Sequence, residues 1–84
     1  MVRYFFHLEN GGVFEDADGL DLPDLEAAKC AAVRLLAEVL CDRPARFWDT
    51  ESCQVTCADE RGLTLFTVQM IATLAPAAPE RGQA

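Results

Sequence analysis

The sequence predicts a two-layer α+β fold in which one amphipathic helix packs on one face of a four-stranded antiparallel sheet. Three observations predict this fold. A strand-like run at the N-terminus leads into Asn10-Gly11, a dipeptide that favours a tight hairpin turn. Helical periodicity occupies the middle of the chain. A second pair of strand-like runs flanks a turn at Asp59–Gly62, which gives the order strand, strand, helix, strand, strand.

The first hairpin is predicted from aromatic content and turn residues. Val2–Glu9 is rich in aromatic side chains and contains neither glycine nor proline, as is typical of a strand. Val13–Glu15 begins the return strand. Residues 16–24 then turn at Asp18-Gly19 and continue in an extended conformation, because Pro23 disfavours the helical region for the residue before it.

A helix is predicted from Asp24 to Asp42. Asp24 can accept hydrogen bonds from the free N–H groups of the first turn, and Glu26 places negative charge at the positive end of the helix dipole. Arg43-Pro44 ends the helix. At 100° per residue, the apolar side chains form one arc that we expect to cover the sheet. This arc contains Leu25, Ala28, Ala32, Val33, Leu35, Leu36, Val39 and Leu40.

The second half of the chain is predicted to contain a connection, two strands and a tail. Residues 45–52 form the connection and carry two large aromatic rings. Cys53–Ala58 and Leu63–Leu74 form the second hairpin. We therefore expect a single α+β domain over residues 1–74 and a disordered C-terminal tail over residues 75–84, since the tail is small, polar and interrupted by proline.

Alternate side chains of a strand share one face of the sheet, and a single helix can cover only one of the two faces. We assign the more apolar set of each strand to the helix side. This predicted core set contains Val2, Tyr4, Phe6, Leu8, Cys53, Val55, Cys57, Thr64, Phe66, Val68, Met70, Ala72 and Leu74.

The opposite face of the sheet carries more apolar side chains than a plain solvent surface. Contiguous apolar patches mark association sites, so we expect a homodimer or a protein partner on this face. The predicted interface consists of Phe5, His7, Trp48, Leu65 and Ile71. The alternative is that the connection after the helix folds back and covers Phe5 within the same chain.

Charge and hydropathy exclude several classes of partner. The chain has 14 acidic and 7 basic residues and a formal net charge of −7. An acidic chain is repelled by phosphate backbones and by anionic lipid surfaces, so neither nucleic acid nor a membrane is expected as a partner. The sequence shows no signal peptide and no apolar run of membrane-spanning length, which predicts a cytoplasmic location.

No catalytic signature is present in the sequence, so no catalytic residue is assigned. His7 is the only histidine and lies in none of the known nucleophile or metalloprotease motifs; we interpret it as a solvent-facing strand residue. Five carboxylates surround the Asp18-Gly19 turn, but only Asp16-x-Asp18-Gly19 matches a calcium loop, since Leu20 occupies the next ligand position. Turn chemistry and helix capping explain these acids without a metal.

The four cysteines do not predict a disulfide or a metal site. Cys30 and Cys41 lie on the polar side of the helix, about 16 Å apart along its axis. Cys53 and Cys57 share a strand face about 13 Å apart. We interpret the first pair as surface thiols and the second as small buried side chains, and we predict no cofactor. A redox role for Cys30 or Cys41 stays open.

Four stretches of the sequence form a joint pattern: the opening RYFFHL, the middle stretches DADGLDLPDLEAAK and RFWD, and the closing VTCADERGLTLFTV. This pattern resembles a family of short bacterial proteins classed as a domain of unknown function, over residues 3 to about 74. The resemblance implies no activity and supplies no catalytic residues. The cysteines are not part of the family's pattern. A weaker similarity, to antitoxin domains of the HicB type, rests on a hairpin followed by an L-P-D-L entry to a helix.

These observations favour a small non-enzymatic binding module. We expect its partner on the open sheet face to be a second copy or another protein. The alternative is an acidic antitoxin-like or nucleic-acid-mimicking regulator, in which the carboxylates between Glu15 and Asp24 make the contact. An enzyme would require a pocket that contains His7 or a cysteine.

Overall fold

The chain forms an antiparallel sheet of five strands with two helices, as described by a computed structural model for residues 1–79. The elements are β1 (Val2–Glu9), β2 (Val13–Phe14), β3 (Leu20–Leu22), α1 (Leu25–Asp42), α2 (Pro44–Thr50), β4 (Ser52–Ala58) and β5 (Thr64–Ile71). The predicted α+β class with an antiparallel sheet is confirmed. The predicted numbers of strands and helices, four and one, are corrected to five and two for these residues.

The strands lie in the order β2-β1-β4-β5, and every pairing is antiparallel. β4 is central and pairs with β1 on one side and with β5 on the other. β2 pairs with the C-terminal end of β1 and β3 with its N-terminal end. Asp16, in the loop between β2 and β3, binds the N–H of Phe6 in the middle of β1. The two short strands therefore follow one another along a single edge of β1.

The prediction of four strands is wrong because the extended segment after the Asp18-Gly19 turn also joins the sheet. Leu20–Leu22 pairs with Val2–Tyr4 of β1. The return strand predicted at Val13–Glu15 is limited to Val13–Phe14. A segment of three residues has no periodicity of its own, so only its partner, distant in sequence, identifies it as a strand.

The connection predicted over residues 45–52 contains a second helix. Pro44 lies in its first turn, where the missing N–H breaks no helical hydrogen bond. Glu51 ends the helix in a left-handed conformation, φ 57°, and its N–H donates to the Phe47 carbonyl at 2.7 Å. Seven residues are too few to show a helical repeat. Packing of Phe47 against α1 and β4 holds this helix in place.

The core lies between the sheet and the two helices. The predicted helix is confirmed as α1, and the Asp24 carboxylate caps it by accepting a hydrogen bond from the Ala27 N–H at 2.9 Å. Two residues of the predicted apolar arc are instead exposed, Leu25 by 42% and Val33 by 55%. Leu25 lies in the first turn, and Val33 lies at the margin of the arc. The buried residues are Tyr4, Ala28, Ala32, Leu36, Phe47, Cys53, Val55, Cys57 and Ala58.

The last strand is shorter than predicted. β5 covers Thr64–Ile71, whereas the alternating pattern predicts a strand over residues 63–74. Within the predicted tail, residues 75–79 are exposed and include a turn in which the Ala78 N–H donates to the Ala75 carbonyl. The rest of that prediction, residues 80–84, lies outside the described residues.

A bulge interrupts the pairing of β5 with β4 near its beginning. Cys57 lies opposite Phe66, whereas Ala58 lies opposite Thr64, so Leu65 is the additional residue. A bulge of this kind increases the local twist and locally disturbs the ladder of hydrogen bonds. Beyond the bulge the pairing is regular to the end of the strand.

Candidate functional site

The sheet face opposite the helices is polar at its centre. The hydroxyls of Thr56 and Thr67 lie 3.3 Å apart across β4 and β5. On the neighbouring row, the Gln54 amide donates to the Glu9 carboxylate at 3.0 Å. Because these polar groups satisfy one another across the strands, the centre of this face presents no continuous apolar surface.

The residues of the predicted interface do not form one patch. Phe5 lies in the row of Ala58 at one end of the sheet, and Leu65 is near the same end. Ile71 lies at the other end, about 20 Å from Leu65 along β5. Trp48 belongs to α2, on the helix side of the sheet, where its ring meets that of Phe47 edge to face at 5.8 Å.

The loop between β2 and β3, and not α2, approaches Phe5. A methyl group on Gly19 would lie 2.9 Å from Cε1 of Phe5 and 2.9 Å from Cγ of Arg3. Gly19 has φ 75°, a conformation that favours glycine. The alternative in which the connection over residues 45–52 covers Phe5 is therefore wrong, because α2 packs on the opposite face of the sheet.

The carboxylate of Asp16 fixes this loop to β1. One oxygen, Oδ2, accepts the Phe6 N–H at 3.1 Å, and the other, Oδ1, accepts the N–H groups of Asp18 at 3.1 Å and Gly19 at 3.0 Å. The N–H of Asp16 itself donates to Nδ1 of His7 at 3.1 Å. Between β2 and β3 no strand of the described chain pairs with this edge of β1, and the Asp16 carboxylate there accepts the Phe6 N–H that a paired strand would otherwise bind.

The hydrogen bonds to its carboxylate lower the pKa of Asp16. Partial burial acts to raise the pKa of Asp16, but N–H donors from Gly19, Phe6 and Asp18 together hold that pKa below its ordinary value. Because Nδ1 of His7 accepts a hydrogen bond, the proton of the neutral ring is on Nε2. His7 is therefore a partner of the loop and not only a surface residue.

The edge formed by β2, β3 and the loop between them, here named the β2–β3 edge, is rich in charge. Arg3 donates to both oxygens of Asp21, at 3.0 and 2.9 Å, and to the Asp18 carbonyl at 2.7 Å. The acidic residues of this edge are Glu15, Asp16, Asp18 and Asp21.

The opposite edge, formed by β5 and here named the β5 edge, carries no charge. Within the described residues β5 pairs only with β4, so its other side presents free N–H and C=O groups. No charged residue lies between Gly62 and Pro79. The exposed apolar side chains along this edge are Leu63, Leu65, Met70, Ile71 and Leu74.

A cleft of about 300 Å³ opens between the C-terminal end of α1, the start of α2 and the turn after β1. Its apolar wall is formed by Val39, Leu40, Phe47 and Cys53. Its polar side is formed by Asn10, Asp42, Arg43 and Arg46. The Oδ1 atom of Asn10 is buried and has no hydrogen-bond partner within residues 1–79. This volume lies at the lower limit of the range of about 300–1,000 Å³ that small-molecule sites occupy.

Comparison with known families identifies the family of this chain. Residues 3–72 match the family described as a domain of unknown function, DUF6894. The chain belongs to the DUF6894 family. No curated protein and no solved structure matches it. The predicted resemblance of the chain to a domain of unknown function is confirmed.

The thiols of this DUF6894 domain differ in exposure as predicted. Cys30 and Cys41 are exposed, whereas Cys53 and Cys57 are buried. Burial raises the pKa of both Cys53 and Cys57, so these thiols are protonated at neutral pH and are weak nucleophiles. Cys53 therefore contributes apolar surface to the cleft.

The described part of the DUF6894 domain contains neither a cluster of metal ligands nor a helix that could span a membrane. Among residues 1–79, no group of three or more His, Cys, Asp or Glu side chains is placed to hold a metal ion. Neither helix within this range combines the length and the apolar character of a membrane span.

Sequence reasoning missed the cleft of the DUF6894 domain. Turn formation explains Asn10, and helix termination explains Arg43-Pro44, so neither pattern suggests a site. The one available signal is the pair Arg43 and Arg46 on either side of Pro44, in a chain with only 7 basic residues. That signal identifies no pocket until the position of α2 is known.

Proposed function

We propose that this DUF6894 protein is a non-enzymatic interaction module of the cytoplasm that forms a homodimer by pairing β5 with β5 of a second copy. One observation carries the proposal: β5 is an edge strand of eight residues that contains neither charge nor proline. Edge strands of this kind pair with other strands unless charge, proline or a covering element prevents it.

A second copy suits the β5 edge because the edge is self-complementary. Two antiparallel β5 strands related by a two-fold axis present the same residues to each other. Each copy has a formal charge of −7, so most approaches of one copy to another are repulsive. The β5 edge avoids this repulsion, because the charge-free stretch extends from Gly62 to Pro79.

Apolar burial would add to the backbone hydrogen bonds of such a dimer. Leu65 and Ile71, both in the predicted interface, and Met70 are exposed along β5. Complete burial of one such side chain contributes about 1.5–3 kcal/mol. Because the interface is symmetric, each copy buries the same side chains, so the contribution of each residue is counted twice.

Two other surfaces receive less support. The sheet face opposite the helices is polar between Phe5 and Ile71. The acidic cluster would serve an antitoxin-like or nucleic-acid-mimicking regulator, but three of its carboxylates already act within the fold: Asp16 binds backbone N–H groups, Asp21 pairs with Arg3, and Asp24 caps α1.

The test is the mass of the protein in solution, measured by sedimentation equilibrium over a range of concentrations. We expect the wild type to approach twice the mass of the chain. Ile71→Lys should raise the dimer dissociation constant by at least about tenfold, since it removes apolar burial and adds a charge to the edge.

Val13→Lys is the matched control. Val13 and Ile71 are both β-branched, both 65% exposed, and lie on opposite edges of the sheet. Both changes add the same charge, so a general effect of net charge would move the two variants equally. A monomeric wild type, or equal effects of the two lysines, contradicts the proposal.

A further inference from the structure

An open groove of about 440 Å³ runs along the helix side of the β2–β3 edge. Its apolar lining consists of Phe6 and Leu8 from β1, Phe14 from β2, Leu20 from β3, and Ala31 and Leu35 from α1. The lining can be reached from solvent, since Phe14 is 53% exposed and Leu20 is 49% exposed. None of these residues belongs to β5, so pairing through the β5 edge leaves the groove open.

The groove exists because one row of the sheet lacks a strand at this edge. β2 pairs with β1 at Leu8, and β3 pairs with it at Tyr4. Phe6 occupies the row between them, and there the Asp16 carboxylate binds the backbone N–H in place of a strand. Across the groove, Ala31 of α1 contributes a side chain of only one carbon atom. One large apolar side chain is therefore missing from the row of Phe6.

The charged residues that line the groove are both acidic. They are Glu15 and Asp16, and no basic residue lines it. Glu15 is exposed and forms no ion pair or hydrogen bond within residues 1–79. Asp16 is ionised at neutral pH, because the N–H groups that it accepts hold its pKa below the ordinary value.

The neighbouring charges do not cancel the charge of the lining. The charged residues of α1 that lie three or four positions from the lining are Arg34 and Glu38, one of each sign. The cation of β1, Arg3, already binds both carboxylate oxygens of Asp21. The groove therefore keeps a negative rim over an apolar floor.

We propose that this groove binds a basic segment of another protein, in which one large apolar side chain lies between lysine or arginine residues. The apolar side chain fills the missing row over Phe6, between Phe14 and Leu20. The cations lie at the rim beside Glu15, where the charges are complementary. An apolar anchor in a pocket with a polar rim is the usual arrangement at protein interfaces.

A second copy of this chain does not suit the groove. It carries the same formal charge of −7, and the surface that it would offer from Gly62 to Pro79 contains no cation to place beside Glu15. The negative charge of this edge therefore repels a second copy and attracts a basic partner.

The probes are three peptides with blocked ends, titrated into the isotope-labelled full chain and followed by NMR. The first has the sequence KRFRK. The second, KRGRK, lacks the apolar side chain, and the third, EEFEE, has the opposite charge. We expect the first to shift the signals of Phe14, Leu20 and Ala31 and to leave those of β5 unchanged. Loss of the apolar side chain and reversal of the charge should each weaken binding at least about tenfold.

Ala31→Leu fills the missing row from within the chain and should weaken binding of KRFRK at least about tenfold. Ala37→Leu is the matched control, because Ala37 is exposed on α1 outside the groove and the same good helix former is introduced.

Glu15→Gln should weaken binding of KRFRK about threefold, since an exposed ion pair contributes little. Glu60→Gln, the same change of charge in the turn between β4 and β5, should leave it unchanged. None of these variants alters the β5 edge, so the sedimentation mass should stay that of the wild type. Failure of this proposal is therefore distinguishable from failure of the proposed dimer.

Absence of localised shifts with KRFRK in large excess would overturn the proposal. Equal binding of KRFRK and KRGRK would overturn it too, since the acidic edge would then attract cations without use of the groove. Equal weakening by Ala31→Leu and Ala37→Leu would place the peptide elsewhere, and equal weakening by Glu15→Gln and Glu60→Gln would assign the effect to net charge. Either result contradicts binding in the groove.

Discussion

The β2–β3 edge and the β5 edge lie on opposite sides of the same sheet and are built from different residues. At the β2–β3 edge two short strands are separated by a loop, and the Asp16 carboxylate takes up the Phe6 N–H that a further strand would need. At the β5 edge one strand runs for eight residues with one side unpaired in the described chain.

Charge follows the same division. The β2–β3 edge carries a cluster of carboxylates, of which Asp21 pairs with Arg3. The β5 edge has none between Gly62 and Pro79. Protection of an edge by short strands, internal hydrogen bonds and charge is a common means of preventing association. Such protection at one edge only supports the association that we propose at the other edge.

Among the substitutions at the β2–β3 edge, loss of the Asp16 carboxylate should lower the free energy of unfolding most. Asp16→Ala removes the acceptor for the N–H groups of Phe6, Asp18 and Gly19. We expect the free energy of unfolding to fall by about 3 kcal/mol, measured by urea denaturation. Asp18→Ala is the control, since the Asp18 carboxylate makes no hydrogen bond within residues 1–79. Equal losses in both variants would remove the special role of Asp16.

The contribution of Asp16 should depend on pH. Its folded-state pKa is held below the ordinary value of 3.8, so its ionised form stabilises the fold. The stabilisation is complete above about pH 5 and is lost as the pH falls through the folded-state pKa. The difference in unfolding free energy between wild type and Asp16→Ala should therefore shrink in acid. A difference that grows as the pH falls would contradict this sign.

Gly19→Ala should destabilise the chain by about 2 kcal/mol, in part by crowding Phe5 and Arg3 and in part through its positive φ. Gly62→Ala is the matched control, since Gly62 has φ 82° but nothing within 4 Å of the added methyl group. We expect it to cost only about 1 kcal/mol, the backbone contribution. Thermal and urea unfolding of the two variants would check this. Similar losses of unfolding free energy at both sites would show that Gly19 is not in close contact with Phe5 and Arg3 of β1.

Arg3→Lys should have the smallest effect, about 0.5 kcal/mol. Arg3 and Asp21 are both exposed to solvent, and exposed ion pairs contribute little. A lysine cannot reproduce the fork that binds both Asp21 oxygens and the Asp18 carbonyl. Urea denaturation at low and high salt would measure the loss. A loss above that of Asp16→Ala would reverse the ranking of the two interactions.

Elements with strong local signals were predictable from the sequence. α1 has an apolar arc and an N-cap at Asp24, and β1 has aromatic alternation, so both were located within a residue or two. β3 and α2 were missed because their stability comes from contacts that are distant in sequence: β3 from pairing with β1, and α2 from burial of Phe47.

The candidate surfaces were predictable only in part. Alternation identified the two faces of the sheet, and it placed Leu65 and Ile71 outside the core. It could not show that β5 is an edge, because strand order is not encoded in periodicity. Nor could it show that Asn10 meets Arg46 at a cleft, since that depends on where α2 returns to the turn after β1.

Amide hydrogen exchange followed by NMR tests the central claim, that β5 is the edge through which two copies pair. The amides of β5 that do not bond to β4 should be protected in a concentrated sample and should exchange faster on dilution, whereas those of β3 should not change. Fast exchange of these β5 amides at every concentration, equal to that of an open edge, would contradict the account.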